Sequence, residues 1–274
     1  MEARFEFGRN WKNYIEHHFS QERVDVSRRH MLEFLGRNDL SGLTIMDIGC
    51  GSGLHSLAAW QSGAASVISF DYDANSVKAT RILHDYVGRP ANWEVFQGSV
   101  LDEAYMRSLP TVDLVYSWGV LHHTGDVWTA VRFASIPVKP GGQFYIALYS
   151  ADVQKPPFTP EFWLSVKLEY LQGSSLKKRY LEAWYVWRFM LGGRPWRLPE
   201  FLRRRREYMR ERGMDMMTDI RDWLGGWPME FCYDDDVKRF AEKELGMELV
   251  RIASGEANTE FLFRRTPSSD TNNE

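Results

Sequence analysis

From residue 43 onward, short apolar runs alternate with stretches whose apolar positions recur at helical spacing. The pattern predicts strands over 43–48, 66–71, 93–97, 112–117 and 142–149, and helices over 54–62, 74–86, 102–108 and 126–135. Runs such as Val67-Ile68-Ser69-Phe70 and Leu114-Val115-Tyr116 are short and mostly apolar, as strands covered on both faces are. Strands and helices that alternate through short connections imply an α/β fold, a parallel sheet with helices on each side.

The flanks read differently. Residues 1–40 are predicted helical: Trp11, Tyr14, Ile15 and His18 share one face, and Val26, His30, Met31 and Leu35 repeat the spacing, before Gly36 and Asn38-Asp39 stop it. These helices would pack on the sheet edge or cover a ligand pocket. Residues 151–228 break the alternation as a helical insertion dense in aromatics, among them Phe158, Trp163, Tyr170, Trp184 and Trp187, interrupted by Gly192-Gly193 and Pro195. The chain then returns to the core over 229–266, with a helix over 234–245 and strands over 247–253 and 260–265 joined by a turn containing Gly255, an antiparallel hairpin. Residues 267–274 are polar and expected to be disordered.

Composition narrows the setting. With 274 residues, 44% hydrophobic and 26% charged, the chain has the make-up of a globular protein with a sizeable core. Two distant cysteines, Cys50 and Cys232, make no disulfide framework, which points to a reducing, cytoplasmic setting. The first residues lack a basic region followed by an apolar one, and no 18-residue apolar run occurs, so neither a secretory signal nor a membrane span is expected. A net charge of −3 argues against nucleic acid as partner. Residues 151–230 carry a local +4, leaving −7 for the rest. The run Arg203–Arg206 reads as a solvated, salt-bridged face. With Trp163, Trp184 and Trp187 nearby it also allows peripheral contact with an anionic membrane.

In such sheets ligands sit beyond the carboxyl ends of the strands. The first strand ends in Asp47-Ile48-Gly49-Cys50-Gly51-Ser52-Gly53, an acid followed by G-x-G-x-G rather than the G-x-G-x-x-G of dinucleotide folds. Asp71 ends the second strand, 24 residues after Asp47, close to where a nucleotide fold needs a carboxylate for ribose hydroxyls. The third ends at Gln97-Gly98-Ser99-Val100, the fourth at Ser117-Trp118-Gly119-Val120-Leu121-His122-His123.

These four stretches, in this order, resemble the class I S-adenosylmethionine (SAM)-dependent methyltransferases. The segments FGRNWKNYIEHH, SWGVLHH and DWLGGWPMEF are similar to bacterial methyltransferases grouped with the ubiquinone-biosynthesis phenol O-methylases. The resemblance implies a Rossmann-like, seven-stranded, mostly parallel sheet closed by the terminal antiparallel hairpin. It also implies SAM as cofactor. Asp47, Gly49, Cys50, Gly51 and Gly53 would approach its methionine part, Asp71 its ribose, Tyr72, Ser99 and Val100 its adenine, and Ser117 and Trp118 the space beside the methyl group. Ser99 stands where the family often has an acid.

The acceptor implied is a small molecule or a glycan-like group, methylated on oxygen. A hydroxyl needs a base as its new bond forms, and histidine titrates in the right range, so His122 and His123 are the candidates. Tyr149, Trp223 and Trp227 would wall the acceptor pocket. No metal is expected, since adjacent His pairs and scattered acids form no ligand cluster. A tRNA-modifying methyltransferase and a non-catalytic interaction protein are the competing readings.

Overall fold

In a computed structural model, residues 8, 15, 19–212 and 216–267 are described, those of 207–212 and 218 without their side chains. The helices expected before residue 19, with Trp11, Tyr14 and His18, and the tail from 268 lie outside the described residues.

Seven strands form one sheet in the order β3-β2-β1-β4-β5-β7-β6. They are β1 (Thr44–Ile48), β2 (Ser66–Asp71), β3 (Trp93–Gln97), β4 (Val112–Trp118), β5 (Val138–Tyr149), β6 (Met247–Ser254) and β7 (Asn258–Arg265). The first five run parallel, with β1 flanked by β2 and β4. β7 pairs antiparallel with both β5 and β6. The order reverses at β1, so a crevice opens there beyond the strand ends.

Helices α1 (Gln21–Leu35), α2 (Leu54–Gln61) and α3 (Ala74–Tyr86) cover one face, and α4 (Glu103–Ser108), α5 (Val127–Ser135) and α10 (Asp234–Leu245) the other. Three of the starts have a local cause. Asp73, Asp102 and Asp126 accept backbone N–H groups at the N-termini of α3, α4 and α5. Gly36 ends α1 in the left-handed conformation.

Between β5 and α10 the chain leaves the sheet and builds α6 (Pro160–Gln172), α7 (Ser175–Tyr185), α8 (Leu198–Arg212) and α9 (Met216–Gly225), with a π-helical turn at Val186–Met190. These pack around their own apolar cluster, which includes Trp163, Val166, Tyr170, Leu181, Ile220 and Leu224. Arg203 to Arg206 are exposed, and Arg204 pairs with Glu200.

Two boundaries differ from the sequence expectation by more than one residue. β5 begins at Val138 rather than 142, because Val138 pairs with Val112 and the Lys139–Gly142 turn is absorbed as an irregularity in the β4–β5 ladder. β7 begins at Asn258 rather than 260, because the antiparallel ladder on β5 runs as far as Tyr149.

α1 is held to the sheet by Val24, Met31, Phe34 and Leu35, all buried. Met31→Ala removes a fully buried side chain and should cost about 2–5 kcal/mol. Urea unfolding checks this: a change below about 1 kcal/mol would mean that α1 is not part of the cooperative core.

Candidate active site

The turn after β1 is built on a buried carboxylate. Asp47 is 4% exposed. Its Oδ2 accepts the Ser56 hydroxyl at 2.5 Å, Ser56 accepts the Ser69 hydroxyl at 2.8 Å, and Ser69 accepts the Trp93 indole N–H at 2.9 Å. This relay crosses β2 and α2 and fixes the carboxylate's orientation. Gly49 has φ +74°, and a Cβ there would lie 2.3 Å from Val120. At Gly53, φ +81°, it would lie 2.9 Å from the Thr80 backbone on α3. Only glycine permits both the conformation and the approach.

Asp71 closes the turn from the neighbouring strand. Its Oδ2 accepts the Gly51 N–H at 3.0 Å and its Oδ1 the Asp73 N–H at 2.8 Å. Burial pushes the Asp47 carboxyl up to about 7, with Ser56 opposing and the Asp71 charge adding. Burial likewise lifts Asp71 to about 6, against the pull of the Asp73 and Gly51 N–H groups.

Beside Asp71, Tyr72 is 61% exposed. Asp73 also receives the Gly8 N–H at 3.0 Å, and a Cβ on Gly8 would lie 2.5 Å from the Asp73 carboxyl carbon. Gly8 therefore touches the turn after β2. The Ser99 hydroxyl accepts the Leu101 N–H at 3.2 Å. Tyr105 lies over Gly98, and its hydroxyl is buried without a hydrogen bond. No sequence signal marked Tyr105 out from any other helix aromatic.

Three side chains point to other work. The Cys50 thiol is buried against the Thr80 hydroxyl. Val100 packs in the sheet core. The Ser117 hydroxyl is fully buried and donates to the Ile48 carbonyl at 2.9 Å, tying β4 to β1. Any part they take in the crevice is through the backbone. Trp118 is partly exposed, 6.1 Å from the His55 ring, and donates toward Glu260.

The two histidines after β4 differ in tautomer. The Nδ1 of His122 accepts the Tyr149 backbone N–H at 3.2 Å, so its proton sits on Nε2. His122 is fully buried, and that Nε2 has no hydrogen-bond partner. Burial holds its pKa well below the usual imidazole range, and His123 and Lys167 reinforce the shift. His122 is therefore a donor. The base role expected of it fails, because its only lone pair is occupied by the backbone. In His123, Nδ1 lies 2.8 Å from the Pro228 carbonyl and must donate, which leaves the lone pair on Nε2.

The segment carrying Pro228 is pinned in place. Glu230 donates its N–H to the His122 carbonyl at 2.9 Å and accepts the Val127 N–H at 2.9 Å, while Cys232 donates its N–H to the Tyr149 carbonyl at 2.9 Å and accepts the Ala151 N–H at 2.8 Å. Tyr149 packs 4.1 Å from the His122 ring and 5.5 Å from Trp223. Trp227 is partly buried in the same segment but is not among the rings around Tyr149.

A third polar group lies on the α1 side. Glu260 of β7 accepts His30 at 3.0 Å and the Tyr145 hydroxyl. The Tyr116 hydroxyl beside it is buried without a partner. Sequence reading missed this group because His30 and Glu260 are 230 residues apart.

A family model described as "Methyltransferase domain" matches residues 17–216. The chain belongs to that family.

Its relatives include the ubiquinone biosynthesis O-methyltransferase of Paramagnetospirillum magneticum, 32% identical over 135 residues, 47% of this chain and 51% of that protein. The tRNA U34 carboxymethyltransferase of Saccharophagus degradans is 30% identical over 102 residues, 37% of this chain and 31% of that protein. The chain spans about half the length of the O-methyltransferase relatives it matches. Among solved structures, a putative SAM-dependent methyltransferase from Methanococcus maripaludis shares the fold at a TM-score of 0.53 with 17% identity, covering 98% of this chain and 99% of that one. An O-methyltransferase family protein from Burkholderia thailandensis does so at 0.55 with 15% identity, covering 91% and 57%.

The methyltransferase is thus of the SAM-dependent, Rossmann-like type, and its residues suit that cofactor. SAM carries cationic groups and two ribose hydroxyls. The crevice offers a buried carboxylate, Asp47, and a half-buried one, Asp71, which accepts the Gly51 and Asp73 N–H groups and a bond from Ser76 and keeps lone-pair capacity for a hydroxyl donor. The carboxylates are charged above their raised pKa values and lose that charge below them. Affinity for the product S-adenosylhomocysteine (SAH) should therefore fall as pH drops from about 8 to about 5. Asp71→Asn should weaken SAH binding about 10- to 100-fold, the worth of charge-assisted hydrogen bonds. Calorimetry across that pH range checks both, and a flat wild-type profile would remove the two carboxylates from cofactor binding.

Proposed function

We propose that this methyltransferase moves a methyl group to a hydroxyl of a small-molecule or glycan-like acceptor, with His123 as the general base. The carrying observation is the Nδ1–H bond of His123 to the Pro228 carbonyl. A carbonyl can only accept, so the neutral imidazole carries its proton on Nδ1 and its basic lone pair on Nε2. The O-methyltransferase relatives support oxygen as the methylated atom.

When bound, SAM supplies a methyl group on a sulfonium that needs no further activation. Asp47 and the turn at Gly49, Gly51 and Gly53 would hold its methionine part, Asp71 its ribose, and Tyr72 and Ser99 its adenine. The remaining work falls to positioning, worth up to about 7–11 kcal/mol in favourable intramolecular cases. The acceptor oxygen would take that methyl group and leave SAH as the second product. The hydroxyl proton passes to His123 Nε2, and the imidazolium that results is stabilised by the Pro228 carbonyl. Tyr149 and Trp223 wall the acceptor beside it.

The tRNA-modifying relative matches over 102 residues, and the −3 net charge gives RNA no general attraction. His123→Gln should lower turnover about 10²- to 10⁴-fold and leave SAH affinity unchanged. Labelled SAM incubated with a cell extract gives the turnover readout, with mass spectrometry of the product. Unchanged labelling in the variant would dismiss His123 as the base.

A further inference from the structure

Beneath the helical insertion, three nitrogen donors are buried together without acceptors to match. Lys167 of α6 is 1% exposed. Its ammonium donates to the Trp223 carbonyl and lies 4.5 Å from the Trp223 ring centroid. It has no carboxylate partner among the described residues, and burial alone pushes it down to about 7. The Trp223 indole N–H and the Nε2–H of His122 are each buried with no hydrogen bond. Both rings pack on Tyr149, 4.1 Å from His122 and 5.5 Å from Trp223, and the Lys167 charge reaches His122. Asp219 and Asp222 of α9 bear electrostatically on Tyr149 rather than on Lys167.

Buried donors are almost always satisfied, because each one left bare costs about 1–3 kcal/mol. Methionine at position 167 would pack in this cluster without that cost. A lysine and two bare donors in one place call for an acceptor that brings several lone pairs and a negative charge. We propose that Lys167, His122 Nε2–H and Trp223 Nε1–H form the recognition site for a carboxylate on the methyl acceptor. One ammonium and two neutral donors match a single negative charge. A dianionic phosphate would leave a net buried charge, and phosphate sites favour the guanidinium fork. The site adjoins His123, whose ring is 4.5 Å from that of His122 and 5.6 Å from that of Tyr149. A carboxylate anchored there holds the rest of the acceptor beside the base. This rests on the reading that the chain methylates a small acceptor in this crevice.

Two measurements test it. Crystals of the full chain soaked in sodium bromide should show anomalous density within hydrogen-bond reach of Lys167 Nζ, His122 Nε2 and Trp223 Nε1. Water alone in that place would overturn the proposal. In the labelled-extract assay, the wild-type product should be an acid retained on anion-exchange resin. Lys167→Met should lose about 10- to 100-fold of that labelling, the worth of a charged hydrogen bond, with SAH affinity unchanged as proof that the variant is folded. A neutral or phosphorylated product, or equal labelling by the variant, would refute carboxylate recognition and leave methyl transfer standing. A wild-type protein that binds no SAH and labels nothing would bring down both.

Discussion

Asp47, buried, and Asp71, half-buried, stand at the ends of neighbouring parallel strands, and the glycine turn is organised by what they accept. Asp71 takes the Gly51 N–H, and Asp47 takes the relay that begins at Trp93. Burial raises both pKa values, with the Asp71 charge adding at Asp47 and the Asp73 charge at Asp71, so the fold carries an electrostatic cost. A cationic ligand with hydroxyl donors removes it. The tight approaches of Gly49 to Val120 and of Gly53 to Thr80 follow from the same need, since they bring the loop after β4 and the helix after β2 up to the turn.

The two adjacent histidines illustrate how neighbours, rather than residue type, assign chemical roles. Both follow β4, and their rings are 4.5 Å apart. One faces a backbone N–H and becomes a buried donor, while the other faces a carbonyl and keeps a lone pair. Both partners lie far off in sequence, at Tyr149 on β5 and at Pro228 at the end of the insertion. The insertion thus contributes more than bulk: its last segment is stitched to the loop after β4 by Glu230 and sets the tautomer of His123.

The insertion's aromatics divide in the same way. Trp163, Trp184, Tyr170 and Tyr185 belong to a separate apolar cluster, where they serve packing. Trp223 sits at the border of that cluster, where its ring meets Tyr149 and Lys167. A lysine in such surroundings is costly to bury, which sets this border apart from the packing behind it.

The alternation of strands and helices, the acid–glycine turn, Asp71 and the terminal hairpin were legible in the chain because each is a local pattern: a period, a spacing, a turn residue. They suffice for the sheet, its parallel sense and the cofactor crevice. The division of labour within the crevice was not legible. Ser117, Val100 and Cys50 stand at the right positions but spend their side chains on strand ties and packing. The Trp93–Ser69–Ser56–Asp47 relay, the His30–Glu260–Tyr145 group and the Lys167 cluster join residues from separate elements. Sequence by itself determined which elements form and where a cofactor can lie, since those depend on neighbours along the chain. Only the tertiary structure decided which histidine keeps a lone pair and which donors are left bare, since hydrogen-bond partners and burial are set across the fold.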